Sequence, residues 1–234
     1  MNLMVAVPLH AVVAGDVVGS SELATDIRRQ LPDLLDETHD EVAEKFGRLL
    51  PDNLAISAGD EWRMYVDDPA AALAASLAYW TRLKSRGIVC RMVLAVDTID
   101  FIDDGNLHRS DGAAFRQAGR GLQLLTDPAS FETHFNMLLP GNNNETAELC
   151  GEAITDLVEM LLTDLTEAQA QAIAEKLTDG ARGEATTTAD IAGRWQPEPI
   201  SRQAVSKHLN RGNWPRLQRT IRRFEQLIQN LSAN

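Results

Sequence analysis

Four apolar residues, Ala11-Val12-Val13-Ala14, run straight into Gly15-Asp16 near the start of the chain. An apolar run of this length, closed by a turn-forming residue, predicts a buried strand. The carboxylate at its end is the strongest constraint on the fold. An ionised side chain is costly to remove from water unless a partner or a metal compensates it. Some later segment must therefore come back to the end of this strand.

The next 120 residues or so alternate between helical and extended patterns. Glu22 to Leu50 predicts a helix with Leu23, Ile27, Leu31, Leu34, Leu35 and Val42 as its apolar positions, kinked or split at Pro32. Leu54–Ala58 predicts a strand, Gly59-Asp60 a turn, and Glu61–Val66 the returning strand of a hairpin. Asp67-Asp68-Pro69 starts a second helix that reaches about Lys84 and stops at Gly87. Ile88–Val96 predicts a strand, Thr98–Asp111 a polar loop, Gly112–Leu125 a helix and Thr133–Leu139 a last strand. The order β-α-ββ-α-β-α-β predicts an α/β sandwich with helices on one face of the sheet. From Asn144 the pattern is helical only, broken by the Gly/Thr-rich stretch Gly180–Thr188. A boundary near Pro140–Asn144 divides the chain into 1–143 and 144–234.

Composition sets the class. With 234 residues, 44% hydrophobic and 24% charged, the chain is expected to be globular, with room for a real core. No run of about 18 apolar residues is present, so no membrane helix is expected. The first residues lack the basic region of a signal peptide. Cys90 and Cys150 lie in apolar contexts and read as reduced, buried thiols of a cytoplasmic protein. The five histidines show no ligand spacing, which excludes a zinc site. The net charge of −12 is uneven: nine basic and four acidic residues from 181 onward give +5, leaving −17 on the first 180. That asymmetry predicts a polyanionic partner for the C-terminal part alone.

The hairpin offers the partner for Asp16. If it lies beside the first strand, Asp60 and Glu61 at its turn converge on Asp16, and the carboxylates share divalent cations. Mg²⁺ suits one or two carboxylates completed by substrate phosphates, and paired ions are the usual device for phosphoryl or nucleotidyl transfer. The alternative is a turn Asp and a capping Asp that never meet.

The stretches GDVVGSSELA, SAGDE, VCRMVLAVDTIDFI and DGAAFRQAGRGLQLL occur in the order of the blocks of class III nucleotidyl cyclases, and the whole chain resembles the SatD family. The resemblance implies a ferredoxin-like, palm-type α+β domain followed by an all-α helix-turn-helix domain. It implies Asp16 and Asp60 as ligands of Mg²⁺ or Mn²⁺, with the Val17 carbonyl and Glu61 beside them. Gly15, Gly19, Ser20 and Gly59 would surround the phosphates of a nucleoside triphosphate. Arg120 falls on the arginine that steadies the transferring phosphate, and Arg116 stands where active cyclases carry Asn. Ile56 and Arg109 replace the Lys and Asp that read a purine. The resemblance thus implies altered or absent base recognition, with Arg109, Arg116 and Arg120 adding positive charge for phosphate.

The segment TTTADIAGRWQPEPISRQAVSKHLNRGNW predicts the helix-turn-helix. Thr187 or Thr188 caps a short helix carrying Ile191 and Ala192, and Ser201 caps a second helix whose Val205 and Leu209 complete a small core. Arg202, Gln203, Ser206, Lys207, Asn210 and Arg211 then face outward. Arg and Gln read purine edges, and Lys and Ser reach phosphates, so this part is expected to bind DNA through the helix beginning at Ser201. The last helix, Trp214 to Leu231, carries Leu217, Ile221, Phe224, Ile228 and Leu231 at a/d spacing. That stripe is either internal core or the seam of a homodimer. Two functions follow: a DNA-binding regulator with a nucleotide-sensing cyclase-like domain, or a metal-dependent nucleotidyl transferase or cyclase with a helix-turn-helix appendage.

Overall fold

A computed structural model describes residues 8–51, 54–57, 59–103, 105–126, 133–140, 145–180 and 186–232. Strand β1 (His10–Val17) is central because its apolar residues alternate to both sides with no polar face: Ala11 and Val13 point one way, Val12 and Ala14 the other, and all are fully buried. It pairs antiparallel with β3 (Glu61–Val66) on one side and β4 (Cys90–Asp97) on the other. β2 (Ala55–Ser57) flanks β3 antiparallel, and β5 (Phe135–Leu138) runs parallel to β4, giving the order β2-β3-β1-β4-β5. The first four strands have the split βαβ arrangement. Ala58, expected to end the second strand, lies outside the described residues.

The helices cover both faces of this sheet, not one. α1 (Thr25–Phe46) and α2 (Ala72–Ser85) share a core with Val13, Met64, Met92 and Leu94. α3 (Ala113–Thr126) closes the opposite face over Val12, Ala14, Val93 and Ala95. The reason is the two-sided apolarity of β1 and β4, which leaves neither face able to meet water. At Gly121, α3 comes so close to the sheet that a Cβ would lie 2.9 Å from Val93 Cγ1. Pro32 neither splits α1 nor ends it; the helix runs through it without a break.

The helices that follow are α4 (Glu145–Leu162), α5 (Glu167–Gly180), α6 (Thr188–Gly193), α7 (Arg202–Arg211) and α8 (Trp214–Ser232). α5 lies along α2 and α8 against the turn Pro69–Ala71. One hydrophobic cluster therefore runs from Val13 through Leu77 and Leu83 to Ile173, Leu177, Val205, Leu217 and Phe224. The expected boundary and the Gly/Thr-rich break fall largely on 141–144 and 181–185, outside the described residues. α4 shields the open edge of β5. The Glu159 carboxylate accepts the N–H groups of His134 (3.0 Å) and Phe135 (2.7 Å), and the Thr155 hydroxyl accepts that of Met137 (3.0 Å). Side-chain acceptors thus occupy ladder groups that an exposed edge would offer to another chain. The stripe on α8 is internal: Leu217, Ile221, Phe224 and Ile228 are buried in the chain's own core, so it does not form a zipper seam. Cys90 is buried, whereas Cys150 is only half-buried; both are free thiols. Among the described residues, no helix is long and apolar enough to cross a membrane.

Candidate functional site: a carboxylate pair at adjacent strand ends

The register of the sheet answers the question that Asp16 raises. Asp16 is opposite Glu61 of β3 and Arg91 of β4, so one residue at the end of β1 meets an acid on one side and a cation on the other. Arg91 Nη1 lies 3.7 Å from the Asp16 carboxylate. The turn places Asp60 nearby, and its carboxylate accepts a hydrogen bond from the Ser20 hydroxyl, which ties the β1–α1 turn to the hairpin tip. Burial pushes the Asp16 carboxyl up to about 6; the negative charge of Asp60 adds to the rise, Arg91 opposes it, and Glu61 adds again. A carboxylate held this far above its ordinary range by burial and like charge is the electrostatic state that a bound cation relieves.

Beside Asp16 is a pocket of about 270 Å³, lined also by Glu61, Arg63, Gly119, Leu122 and Gln123. Glu61 turns toward Arg63, 3.6 Å away. Among the described residues, no three His, Cys, Asp or Glu side chains converge as a metal-holding group. Glu61 is engaged by Arg63, so Asp16 and Asp60 are the two carboxylates that could hold a cation here. Val17 occupies the last rung of the β1–β4 ladder, opposite Cys90.

The glycines have local reasons. Gly15 lies beneath the Trp62 indole, where a Cβ would come within 2.2 Å of the ring, on the opposite side of the sheet from Asp16. It makes room for the core and does not face the carboxylates. Gly19 (φ 66°) and Gly59 (φ 89°) adopt left-handed turn conformations that favour glycine. Pro32 of α1 reaches to 3.9 Å from the position of a Cβ on Gly59, which places the hairpin tip against that helix.

The three arginines do not gather beside Asp16. Arg109 pairs with Asp103 at 3.2 Å, and Arg116 with Asp111 at 2.7 Å and Asp100 at 3.3 Å. Arg116 thus anchors the 98–111 loop to the start of α3. Arg120 is exposed, does not line the pocket and, among the described residues, pairs with no carboxylate. The 98–111 loop docks on the sheet edge, where the His108 ring nitrogens approach the Ile56 carbonyl (3.2 Å) and the Ser57 hydroxyl (3.4 Å). The cations that do flank the carboxylates are Arg63 and Arg91, which the sequence reading missed. Arg63 was within reach of strand alternation, two positions from Glu61; Arg91 required the pairing of β1 with β4.

In the C-terminal part, Thr187 caps α6 in a reciprocal capping box with Asp190, and the Ser201 hydroxyl accepts the Ala204 N–H at the start of α7. Ile191, Ala192, Val205 and Leu209 are buried. Ser201, Arg202, Gln203, Lys207, Asn210 and Arg211 are exposed, while Ser206 is half-buried. Residues 194 to 201 separate the two helices, longer than the three- or four-residue turn of a helix-turn-helix. Across this connection, Trp195 stacks on His208 with centroids 5.4 Å apart.

Fold and site together define a mixed α+β protein with a five-stranded sheet and a carboxylate pair at adjacent strand ends. No family model matches the chain, and no curated protein sequence does. Among solved structures it is similar to the adenylyl cyclase CyaB from P. aeruginosa, at 17% identity over 49% of this chain and 71% of that one, with a TM-score of 0.38.

Proposed function

We propose that this protein is a DNA-binding regulator whose palm-like, cyclase-like sheet domain senses a nucleoside triphosphate with Mg²⁺ or Mn²⁺ at Asp16 and Asp60. The observation that carries the sensor half is the half-buried Asp16 at the end of β1 beside the hairpin tip that carries Asp60, where burial and the Asp60 charge push the Asp16 carboxyl up to about 6. A divalent cation supplies the missing positive charge there and recruits phosphate oxygens. Arg63 and Arg91 orient the anion, and Ser20 holds Asp60 in place. Sensing is favoured over turnover because Arg109 and Arg116 are committed to loop carboxylates and Arg120 lies outside the pocket.

The regulator half rests on α7. Its outward face carries Arg202, Gln203, Lys207, Asn210 and Arg211, with Ser201 and Ser206 beside them, on an otherwise acidic chain. Those groups suit phosphates and the major-groove edges of bases. A homodimer would present two such helices to two half-sites; its interface would have to lie away from the buried α8 stripe. A second reading, a nucleotidyl transferase or cyclase, draws on the same carboxylate pair. Incubation with each nucleoside triphosphate and Mg²⁺ or Mn²⁺, followed by product analysis and calorimetry, separates them. Binding without product supports the sensor, product formation supports the enzyme, and absence of cation-dependent binding overturns both.

A further inference from the structure

A second cavity, of about 420 Å³, lies on the α1–α2 side of the sheet, away from Asp16 and α3. Its walls are apolar and come from distant parts of the chain: Phe46 at the end of α1, Ala74 of α2, Leu177 of α5, and Trp214 and Ile221 of α8. Four polar residues border it: Lys176, Gln218, Arg222 and Glu225. Neither Lys176 nor Arg222 makes an ion pair within 4.0 Å among the described residues, with Asp190, Glu225 and Asp68 acting from farther off. Arg222 is exposed, and Gln218 stands one helical turn before it, so the two donors flank the cavity on the same side of α8.

We propose that this cavity binds a small organic anion with a flat apolar body and one carboxylate, and that the ligand joins the sheet part to the C-terminal helices. The volume falls within the range of small-molecule sites, which combine apolar walls with a few polar groups. Trp214 and Phe46 offer aromatic surface to a ring. A carboxylate takes the guanidinium of Arg222, whose paired donors match its two oxygens. A neutral ligand forms no such paired contact with Arg222. Because the walls include residues before 75 and after 175, occupancy strengthens the contact of α8 with α2. α8 also adjoins α7, so the ligand bears on the placement of the α7 face.

The test is fluorescence titration of the full-length protein with anilinonaphthalene sulfonate, an apolar ring system bearing one anion. Competition by naphthoate and by the neutral naphthylmethanol follows. One saturable site is expected, with naphthoate competing about tenfold better than naphthylmethanol. Arg222→Gln should erase that difference while leaving the fold intact, and Ala74→Phe should fill the cavity and abolish binding. The proposal is overturned by non-saturable binding, by equal competition from both ligands, or by Ala74→Phe binding as wild type with a native near-ultraviolet spectrum. If Ala74→Phe does not fold, the Arg222→Gln competition decides.

Discussion

Asp16 and Arg91 face each other across β1 and β4, 3.7 Å apart, yet the Asp16 carboxyl stays at about 6. The guanidinium offsets only part of the effect of burial and of the negative charge of Asp60, so the strand end holds an incompletely compensated carboxylate.

Replacing that group should stabilise the protein at neutral pH. The folded-state pKa of about 6 lies above the ordinary 3.8, so ionised Asp16 costs stability. The cost begins as pH rises above about 4 and is complete above about 6. Asp16→Asn should gain roughly 1–3 kcal/mol at pH 7.5 and nothing near pH 3.5, by urea denaturation without divalent cation. Added Mn²⁺ should stabilise wild type and not the variant. A variant less stable than wild type at pH 7.5 would show that Asp16 is satisfied by its neighbours.

His39 gives the opposite pH dependence. It is buried beside Tyr79, Asp40 stands 3.8 Å from its Nδ1, and neither ring nitrogen has a hydrogen bond among the described residues. Burial holds its pKa below 6.5, against the pull of Asp40 and Asp36. Its contribution is intact above pH 6.5 and is lost as pH falls through the folded-state value. His39→Phe should flatten the fall in stability as pH drops below about 6.5. An unchanged pH profile would refute this account.

Glu159 should matter for solubility as well as stability. Its carboxylate accepts from two backbone N–H groups and from the His134 ring at 3.1 Å. Burial raises its pKa, but these bonds outweigh burial and hold it below the ordinary value. Glu159→Ala strands the donors on β5 and should cost about 2 kcal/mol. Light scattering should show faster aggregation through the uncovered edge.

Arg82 links three helices. It lies 2.8 Å from Glu175 of α5 and 3.6 Å from Glu41 of α1, with its side chain 17% exposed, while Arg194 takes the other Glu175 oxygen at 2.9 Å. A double-mutant cycle with Arg82→Met and Glu175→Gln should give a coupling of about 1–2 kcal/mol. Additive effects would mean that this ion pair does not help hold α5 to α2.

DNA binding, if α7 performs it, should be measured on the full-length chain. The sequence alone suggests that residues 145–234 suffice, but Ile173 and Leu177 share their core with α2, and the fragment would expose them. Affinity should fall with salt by roughly 0.9 log units per phosphate contact for each tenfold rise. Lys207→Ala should lower that slope by about one, and Arg202→Ala should relax preference at one base pair. Salt-independent or absent binding at low ionic strength removes the regulator reading.

What the sequence determined by itself is local or periodic. The apolar run before Asp16, the Gly59-Asp60 turn, the caps at Thr187 and Ser201 and the strand and helix order are each encoded within a few residues. Two-residue and 3.6-residue periodicities report them directly. The nearness of the hairpin to β1 was also legible, because the strand order permits it. Tertiary structure decided which charges meet. Arg91 reaches Asp16 only through the β1–β4 register, and Arg116 turns from the pocket because the 98–111 loop brings Asp100 and Asp111 to it. The core shared by α2 and α5 was equally invisible in one dimension. An apolar stripe shows that a helix face is buried, and hydrophobic burial, being non-directional, does not name the surface that buries it.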